Sequence, residues 1–296
     1  MKFGKVEHPE LVDFTMPEDH PDTKVLLSTT KSNSRVEVFV GCAKWNRVDL
    51  KGFYPRGTKD ELVYYASQFN SIELNATFYR FFPPEQFEKW YNKTPANFKF
   101  FPKLNQEISH WKRLNEVSQQ VNNYLYDAAN LKEKLGTIFL QMNNNFAPKD
   151  FDRVIAFAEA WPKEFPLAME FRHTDWYTNP KIADELYHLL RENNIANVLV
   201  DTAGRRDLMH MRLSTNEAFV RYVGANHESD YTRLDDWVVR LKEWVELGLQ
   251  KIHFFVHQNL EVASPLLSAH FIKNLNDSLG SDLVIPKLAK EPSSLF

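Results

Sequence analysis

The chain has 296 residues, of which 43% are hydrophobic and 25% charged, a composition that is typical of a folded globular protein and excludes extensive disorder. Its formal charge of -3 gives no overall basic field, so a nucleic-acid site would need a local basic patch. The single cysteine, Cys42, excludes an intramolecular disulfide and a multi-cysteine zinc site. No stretch resembles a signal peptide or a membrane span, so we expect a soluble cytoplasmic protein without a membrane partner.

The first 35 residues differ in pattern from the rest of the chain. They contain several prolines and acidic residues and the polar run STTKSNSR, and they show no sustained period of 2 or 3.6 residues. From residue 36 onwards, apolar runs of strand length alternate with helical segments. We therefore predict an N-terminal surface extension over residues 1–35 and a single domain over residues 36–296.

Eight apolar runs predict β-strands, at 36–42, 70–76, 98–103, 136–142, 166–172, 197–201, 218–224 and 251–257. Helix signals lie between them. Thr58 and Glu61 form a capping box, a proline begins the helix at 83–91, and Gly136 ends the helix predicted for 113–136. Further helices are predicted at 148–161, 180–193, 233–248 and 265–280, whereas the connection after the sixth strand has only a weak helical pattern.

Strands that alternate with helices form parallel sheets. Eight such strand-helix units in one domain favour closure of the sheet into a barrel over an open sheet. The predicted fold is therefore α/β, a single (β/α)8 TIM-type barrel. In such a barrel alternate residues of each strand point inward, and functional residues gather at the carboxyl ends of the strands.

Polar side chains fall on the predicted inward positions at these strand ends. Taken singly, each is better explained as a structural ion-pair partner. Together they indicate a functional site, because burying so many charges is costly and a barrel that needed only stability would carry Val, Ile and Leu there. The set is Glu73, Asn75, Lys103, Gln141, Glu170, Arg172, Asp201, Arg221 and His257.

The mixture of charges decides which ligand is expected. The carboxylates and His257 would suit a metal ion, but the interleaved lysine and arginine side chains would repel a divalent cation, so we expect neither a metal nor another cofactor. The same cations suit an anion, because arginine grips carboxylate or phosphate at two points. Glu73, Glu170 and Asp201 are the candidate catalytic acids and bases. Cys42 is interpreted as a buried thiol and not as a nucleophile.

Aromatic residues such as Tyr79 and Trp176 follow the predicted strands, and some have basic neighbours. Such residues stack on bases or sugars, or equally well pack the loops. His173 is the first residue after the fifth strand, and the sequence leaves two roles for it: a ligand contact or a structural hydrogen bond. The candidate substrate-binding residues are Asn75, Tyr79, Lys103, Gln141, Arg172, His173, Trp176, Arg221 and His257.

Several segments form a distinctive combination: GCAKW with FYP, FNSIELNATFY, FKFFPKLNQEISH, KLGTIFLQ, AMEFRHTDWY and VLVD. This combination resembles the YecE-like proteins, domain of unknown function 72, from about Val38 to the end of the chain. The resemblance implies a TIM-type barrel and no settled activity. Relatives commonly carry Arg-x-His-Gly in the seventh strand and Phe-Asn-Asn at the end of the eighth, so Val223, His257 and Gln258 depart from the family pattern.

We predict an enzyme that applies acid/base chemistry to a small or polymeric anionic substrate, such as a phosphoester or a nucleotide, at the carboxyl-terminal mouth of the barrel. The alternative is a non-catalytic nucleic-acid or nucleotide-binding protein that uses the same mouth and its aromatic rim. The sequence leaves the substrate and the oligomeric state open.

Overall fold

The computed structural model describes residues 4–29 and 35–288. The eight predicted strands are confirmed: β1 (Glu37–Cys42), β2 (Ser71–Leu74), β3 (Lys99–Pro102), β4 (Ile138–Gln141), β5 (Leu167–Glu170), β6 (Ala196–Thr202), β7 (Glu217–Gly224) and β8 (Lys251–Gln258). The α-helices are α1 (Pro21–Thr29), α2 (Glu61–Gln68), α3 (Ala76–Tyr79), α4 (Pro84–Lys93), α5 (Ser118–Ala128), α6 (Phe151–Ala160), α7 (Asp175–Thr178), α8 (Pro180–Glu192), α9 (Ser229–Leu247) and α10 (Ser264–Leu279). Within the described ranges, no helix has the length and apolarity needed to cross a membrane.

Two of the predicted helix signals act differently from the prediction. The cap of α2 is Asp60, whose carboxylate accepts hydrogen bonds from the amides of Leu62 and Val63, so the capping box at Thr58 was wrong. The helix predicted for 113–136 is shorter, since α5 ends at Ala128 and a 3-10 segment follows. Gly136 lies beyond it and donates its amide to the carbonyl of Phe100 at 2.8 Å.

The closed eight-stranded barrel is the prediction that the structure contradicts. Six parallel strands form one curled half-barrel sheet in the order β1-β8-β7-β6-β5-β4, and β2 and β3 form a separate parallel pair. Single bridges from Phe100 to Leu135 and from Lys103 to Phe139 connect β3 with the β4 region. The fold is therefore α/β with a half-barrel sheet.

Side chains explain why β1 and β2 do not form a ladder. The side-chain amide of Asn70 accepts a hydrogen bond from Val40 N at 3.0 Å through its Oδ1 and donates one to Val38 O at 2.7 Å through its Nδ2. The hydroxyl of Tyr65 accepts from Cys42 N at 2.7 Å and donates to Ser71 O at 3.0 Å. Three backbone groups of β1 on this edge, Val38 O, Val40 N and Cys42 N, are thus satisfied by side chains, and no β2 backbone is required as their partner.

The concave side of the sheet has its own small core, separate from the larger core between sheet and helices. Its members are Phe101, Phe139, Ala168, Ala196, Val198, Val200, Phe219 and Phe255. Gln141 and Arg221 each follow a member of this core by two residues and therefore face the same side. The inner core thus lies beneath the polar side chains at the strand ends.

The residues before β1 lie against the domain although their sequence shows no period. Within them α1 forms, and Leu27 on this helix is fully buried. The carboxylate of Asp19 accepts from Arg240 at 2.5 Å, and Arg206 donates to the carbonyl oxygens of Phe14 and Thr15. Residues 1–3 and 30–34 of the predicted extension lie outside the described residues, and its boundary at residue 35 stays a prediction.

Candidate functional site at the strand ends

A cavity of about 590 Å³ opens at the carboxyl ends of the strands. Its lining includes Glu73, Asn75, Tyr79, Lys103, Gln141, Arg172, Arg221 and His257, eight of the side chains that the sequence predicted for a site. Glu170 lies directly behind this lining and is bonded to three of its members. Parallel strands end at one edge, so side chains that are distant in the sequence meet there.

Arg221 is the centre of the charge network. Its guanidinium grips Glu73 at two points, with N–O distances of 2.9 and 2.8 Å, and donates to Glu170 at 2.6 Å. Arg172 donates to the other oxygen of Glu170 at 2.5 Å. Arg172 thus lies in salt-bridge reach of a carboxylate on the inward face, as its parity with Glu170 predicted.

Both carboxylates are held ionised. Burial alone would raise the pKa of Glu73, but Arg221 and His257 outweigh burial and hold this pKa well below its ordinary value. Burial likewise opposes ionisation of Glu170, and Arg172 and Arg221 lower its pKa to about 2. These two side chains are therefore weak bases.

His257 is oriented by Glu73. The two side chains share a hydrogen bond of 2.9 Å between His257 Nε2 and Glu73 Oε2. Because Glu73 is ionised and can only accept, Nε2 must carry the hydrogen in this bond. In a neutral His257 the other ring nitrogen, Nδ1, then holds the lone pair of a base, and the residue lines the cavity.

Lys103 contributes an unusual amine to the cavity. Its side chain is 6% exposed, its Nζ donates to Gln141 Oε1 at 2.8 Å, and it lies 4.0 Å from the ring centre of Phe78. The strand register places Gln141 opposite Glu170, which fixes the Gln141 amide by accepting from its Nε2. Burial, reinforced by Arg221, lowers the pKa of Lys103 to about 7.

Asp201 is not brought to the cavity, contrary to its predicted place in the ring. Val198 and Val200 take the inward positions of β6, so Asp201 points outward to α9. There it accepts hydrogen bonds from Arg233 at 2.6 Å and from Trp237 Nε1 at 2.8 Å, and it pairs with Arg206. The three residues before Asp201, at 198–200, are all apolar, so the sequence has no alternation there that would show which face of the strand Asp201 occupies.

His173 and Trp176 also lie apart from the cavity lining. His173 Nδ1 accepts from the amide of Asp175 at the start of α7, which is the structural hydrogen bond left open by the sequence. Trp176 is fully buried, stacks on Phe146 and donates its Nε1–H to the Phe146 carbonyl at 2.7 Å. Tyr79, by contrast, is 69% exposed at the cavity edge.

Sequence reasoning did not select three charged or titratable residues at or near the cavity: Lys44, His110 and Glu261. Lys44 lies in the GCAKW segment, so that motif was a usable signal. His110 lies in a π-helical turn, Glu107–Trp111, and burial together with the nearby Lys103 lowers its pKa to about 4. Glu261 follows β8 in a loop, where strand periodicity gives no information.

Neither a metal ligand set nor a reactive thiol is formed at this site. Across residues 4–29 and 35–288, no group of three His, Cys, Asp or Glu side chains is arranged to hold a metal ion. Cys42 is fully buried, with its Sγ 3.6 Å from Ser268 Oγ. Burial raises the pKa of this thiol to about 12, so it remains protonated and a poor nucleophile.

The fold and the cavity define a class: an α/β protein with a curled parallel sheet and a charged cavity at its strand ends. A family model described as "Protein of unknown function DUF72" matches residues 39–290. The chain therefore belongs to the DUF72 family, which includes the YecE-like proteins that its sequence resembles.

Known relatives agree with this assignment. The chain is 23% identical over 281 residues to UPF0759 protein YecE of Escherichia coli K12, covering 88% of this chain and all of that protein. It is 25% identical to UPF0759 protein YunF of Bacillus subtilis, over 64% of this chain and 71% of that one.

Solved structures of DUF72 proteins have a similar fold. The protein from Thermotoga maritima aligns with a TM-score of 0.66 at 26% identity, covering 81% of this chain and 99% of that one. The one from Enterococcus faecalis aligns with a TM-score of 0.67 at 19% identity, over 86% and 100% of the two chains. Their descriptions assign no activity.

Proposed function

We propose that this protein is an enzyme that binds a small anionic substrate in the strand-end cavity and transfers a proton through His257. The observation that carries the proposal is the 2.9 Å bond between His257 Nε2 and Glu73 Oε2 in the wall of an open cavity. A carboxylate that fixes the tautomer and orientation of a histidine makes the opposite ring nitrogen a positioned base.

The cations of the cavity favour an anionic substrate. Lys44, Lys103, Arg172 and Arg221 line it together with two carboxylates. Arg221 donates to both Glu73 and Glu170 and fixes these two carboxylates in the wall of the cavity. Arg172 is the side chain that suits a phosphate or carboxylate group of a phosphoester or nucleotide-like substrate.

This assignment changes the roles that the sequence suggested. Glu73 orients His257, and Glu170 holds Arg172 and Gln141, because carboxylates with lowered pKa values are poor proton acceptors near pH 7. Proton transfer then falls to His257, whose ring lines the cavity.

One observation supports the second candidate, a nucleotide-binding protein without catalysis. Tyr79 and Trp111, which follow β2 and β3, are 69% and 67% exposed. Tyr79 is at the cavity edge, and an exposed aromatic face beside a cationic cavity suits the stacking of a nucleobase.

His257→Gln tests the enzyme proposal. We expect wild-type protein to turn over a member of a library of phosphoesters and nucleotides, and the variant to lose about 100-fold or more in kcat, the scale of general acid/base catalysis, with little change in KM. The matched control is His270→Gln, which removes a surface histidine bonded to Asp235 at 2.7 Å and should leave kcat unchanged.

Two results would contradict the enzyme proposal. If nothing in the library is turned over while nucleotides bind in a salt-dependent manner, the binding-protein candidate is correct. If His257→Gln retains full turnover, proton transfer does not depend on this histidine.

A further inference from the structure

Lys103 has a different environment from the arginines of the cavity. Its Nζ is bonded to the neutral amide of Gln141 and lies 4.0 Å from the ring centre of Phe78. Gln141 is in turn held by both oxygens of Glu170 at 3.1 Å, so its Oε1 must face Lys103. The amine is therefore fixed in position by a partner that does not require it to be charged.

A substantial fraction of Lys103 carries an uncharged amine near pH 7. Burial comes first in lowering its pKa to about 7, followed by Arg221, while Arg172 adds to the shift and Glu170 and Glu73 oppose it. His110 also faces this amine, and its pKa is lowered to about 4, so it adds no positive charge near pH 7. An unprotonated and largely buried lysine amine is a nucleophile towards carbonyl carbon.

We propose that Lys103 forms an imine with the aldehyde or ketone carbon of a small carbonyl compound whose phosphate or carboxylate is held by Arg172. This inference rests on the anion-binding cavity of the proposed function and deepens it by naming a substrate class. Gln141 is a positioning residue in this step, because it holds the nitrogen without neutralising a charge.

The chemistry is balanced without any further reactant. The lone pair of Lys103 Nζ attacks the carbonyl carbon, a C–N bond forms, and the π electrons of the C=O bond move to oxygen. That oxygen takes up a proton while the nitrogen loses one, which gives a carbinolamine. A second proton transfer to the hydroxyl lets it leave as water while the nitrogen lone pair forms the C=N bond, and the nitrogen then releases its remaining proton, which replaces the one consumed. The His257–Glu73 pair in the same cavity is suited to these proton transfers.

Reductive trapping tests the imine. The full chain is incubated with dihydroxyacetone phosphate, with pyruvate, or with uncharged dihydroxyacetone, then reduced with sodium borohydride and mapped by peptide mass spectrometry. We expect an irreversible adduct on Lys103, at least about 10-fold more abundant with an anionic compound than with dihydroxyacetone, because a cation pairs with the anionic group. The two anionic compounds distinguish a phosphate from a carboxylate substrate.

Lys134 is an internal control in the same experiment. Burial lowers its pKa too, but it donates to the carbonyl oxygens of Tyr91 and Thr94, at 2.7 and 2.6 Å, away from the cavity lining. It should remain unlabelled. Trapping at Lys103 should rise with pH to half its maximum near pH 7, whereas an ordinary lysine requires a pH near 10.

Lys103→Arg separates the imine from anion binding, since arginine keeps the cation and cannot form this adduct. We expect it to bind inorganic phosphate and to show no adduct. Labelling spread over surface lysines, or equal labelling by dihydroxyacetone, would overturn the proposal. If wild-type protein binds phosphate in the cavity but is not trapped at Lys103, only the imine is wrong. If phosphate does not bind there, the anion site of the proposed function is wrong as well.

Discussion

Arg221 is the residue whose loss would disturb the candidate site most. It is 6% exposed and makes three hydrogen bonds to two carboxylates that are themselves almost fully buried. Burial of ions is costly, and a buried pair is tolerated only because its partners compensate each other. The geometry of Glu73, and through it that of His257, therefore depends on one guanidinium.

Arg221→Met should destabilise the protein by about 3–5 kcal/mol, because it leaves Glu73 and part of Glu170 uncompensated in a buried place. Urea unfolding monitored by tryptophan fluorescence measures this loss. The control is Arg153→Met, which removes a 3.6 Å ion pair to Asp150 from an arginine that is 39% exposed, and should cost less than about 1 kcal/mol. Equal unfolding midpoints for the two variants would show that the buried network contributes no net stability.

The sequence predicted this residue-level arrangement where a strand has clear alternation. Glu73 lies between Ile72 and Leu74, and Arg172 shares the parity of Glu170, so period 2 was sufficient to bring these groups together. It failed for Asp201, because the three residues before it, at 198–200, are all apolar. It also failed for Trp176, because a tryptophan side chain suits the rim of a site and a packed core equally well. Periodicity says which face a residue occupies only when polar and apolar residues differ in phase.

At the level of elements, the sequence predicted strands and not their pairing. All eight runs form strands, yet the sheet is interrupted between β1 and β2 and between β3 and β4. Hydrophobic pattern reports that a segment is extended and buried, but ladder formation depends on where each backbone amide finds its partner. The interruption at β1 is due to Asn70 and Tyr65, whose polar groups have no signature in a periodicity analysis.

Asn70→Asp tests this interpretation of the seam. The carboxylate still accepts from Val40 N but can no longer donate to Val38 O, so an acceptor loses its partner and we expect a loss of about 1–3 kcal/mol. Because the new carboxylate and the unpaired Val38 carbonyl oxygen repel each other, the seam should open more often, and hydrogen exchange of the Val40 amide should accelerate. As a control, Asn130→Asp removes side-chain bonds to the carbonyls of Tyr126 and Asp127 at a partly exposed position. Unchanged exchange in β1 would contradict the role assigned to Asn70.

For the whole molecule, buried histidines link stability to pH. Burial lowers the pKa of His253 to about 4 and that of His210 to about 3. His253 lies against the rings of Phe39, Phe101 and Phe219, with Glu217 and Lys251 acting on its charge. As the pH falls below about 6.5, both histidines become protonated in the unfolded chain while they stay neutral in the folded protein. The free energy of unfolding therefore declines between about pH 6.5 and pH 4.

His253→Phe should remove part of this acid sensitivity. Between pH 7 and pH 4 we expect the variant to lose about 3 kcal/mol less stability than the wild type, because the unfolded chain no longer gains that proton. Urea titrations at several pH values provide the comparison, and His188→Gln, at a histidine whose side chain is 70% exposed, is the control. If the variant loses as much stability as the wild type between pH 7 and pH 4, the acid sensitivity is due to the paired carboxylates and not to His253.

The pairing of β1 with β8 has a consequence for how the protein is made. Glu37 pairs with Lys251, so β1, which is synthesised before strands β2 to β7, finds its hydrogen-bonded neighbour in β8, which is synthesised after them. On its other edge, the side chains of Asn70 and Tyr65 form hydrogen bonds with its backbone. β1 therefore lacks its ladder neighbour from its own synthesis until β8 has been made, which is the interval in which chaperones recognise exposed strands and in which truncated chains aggregate.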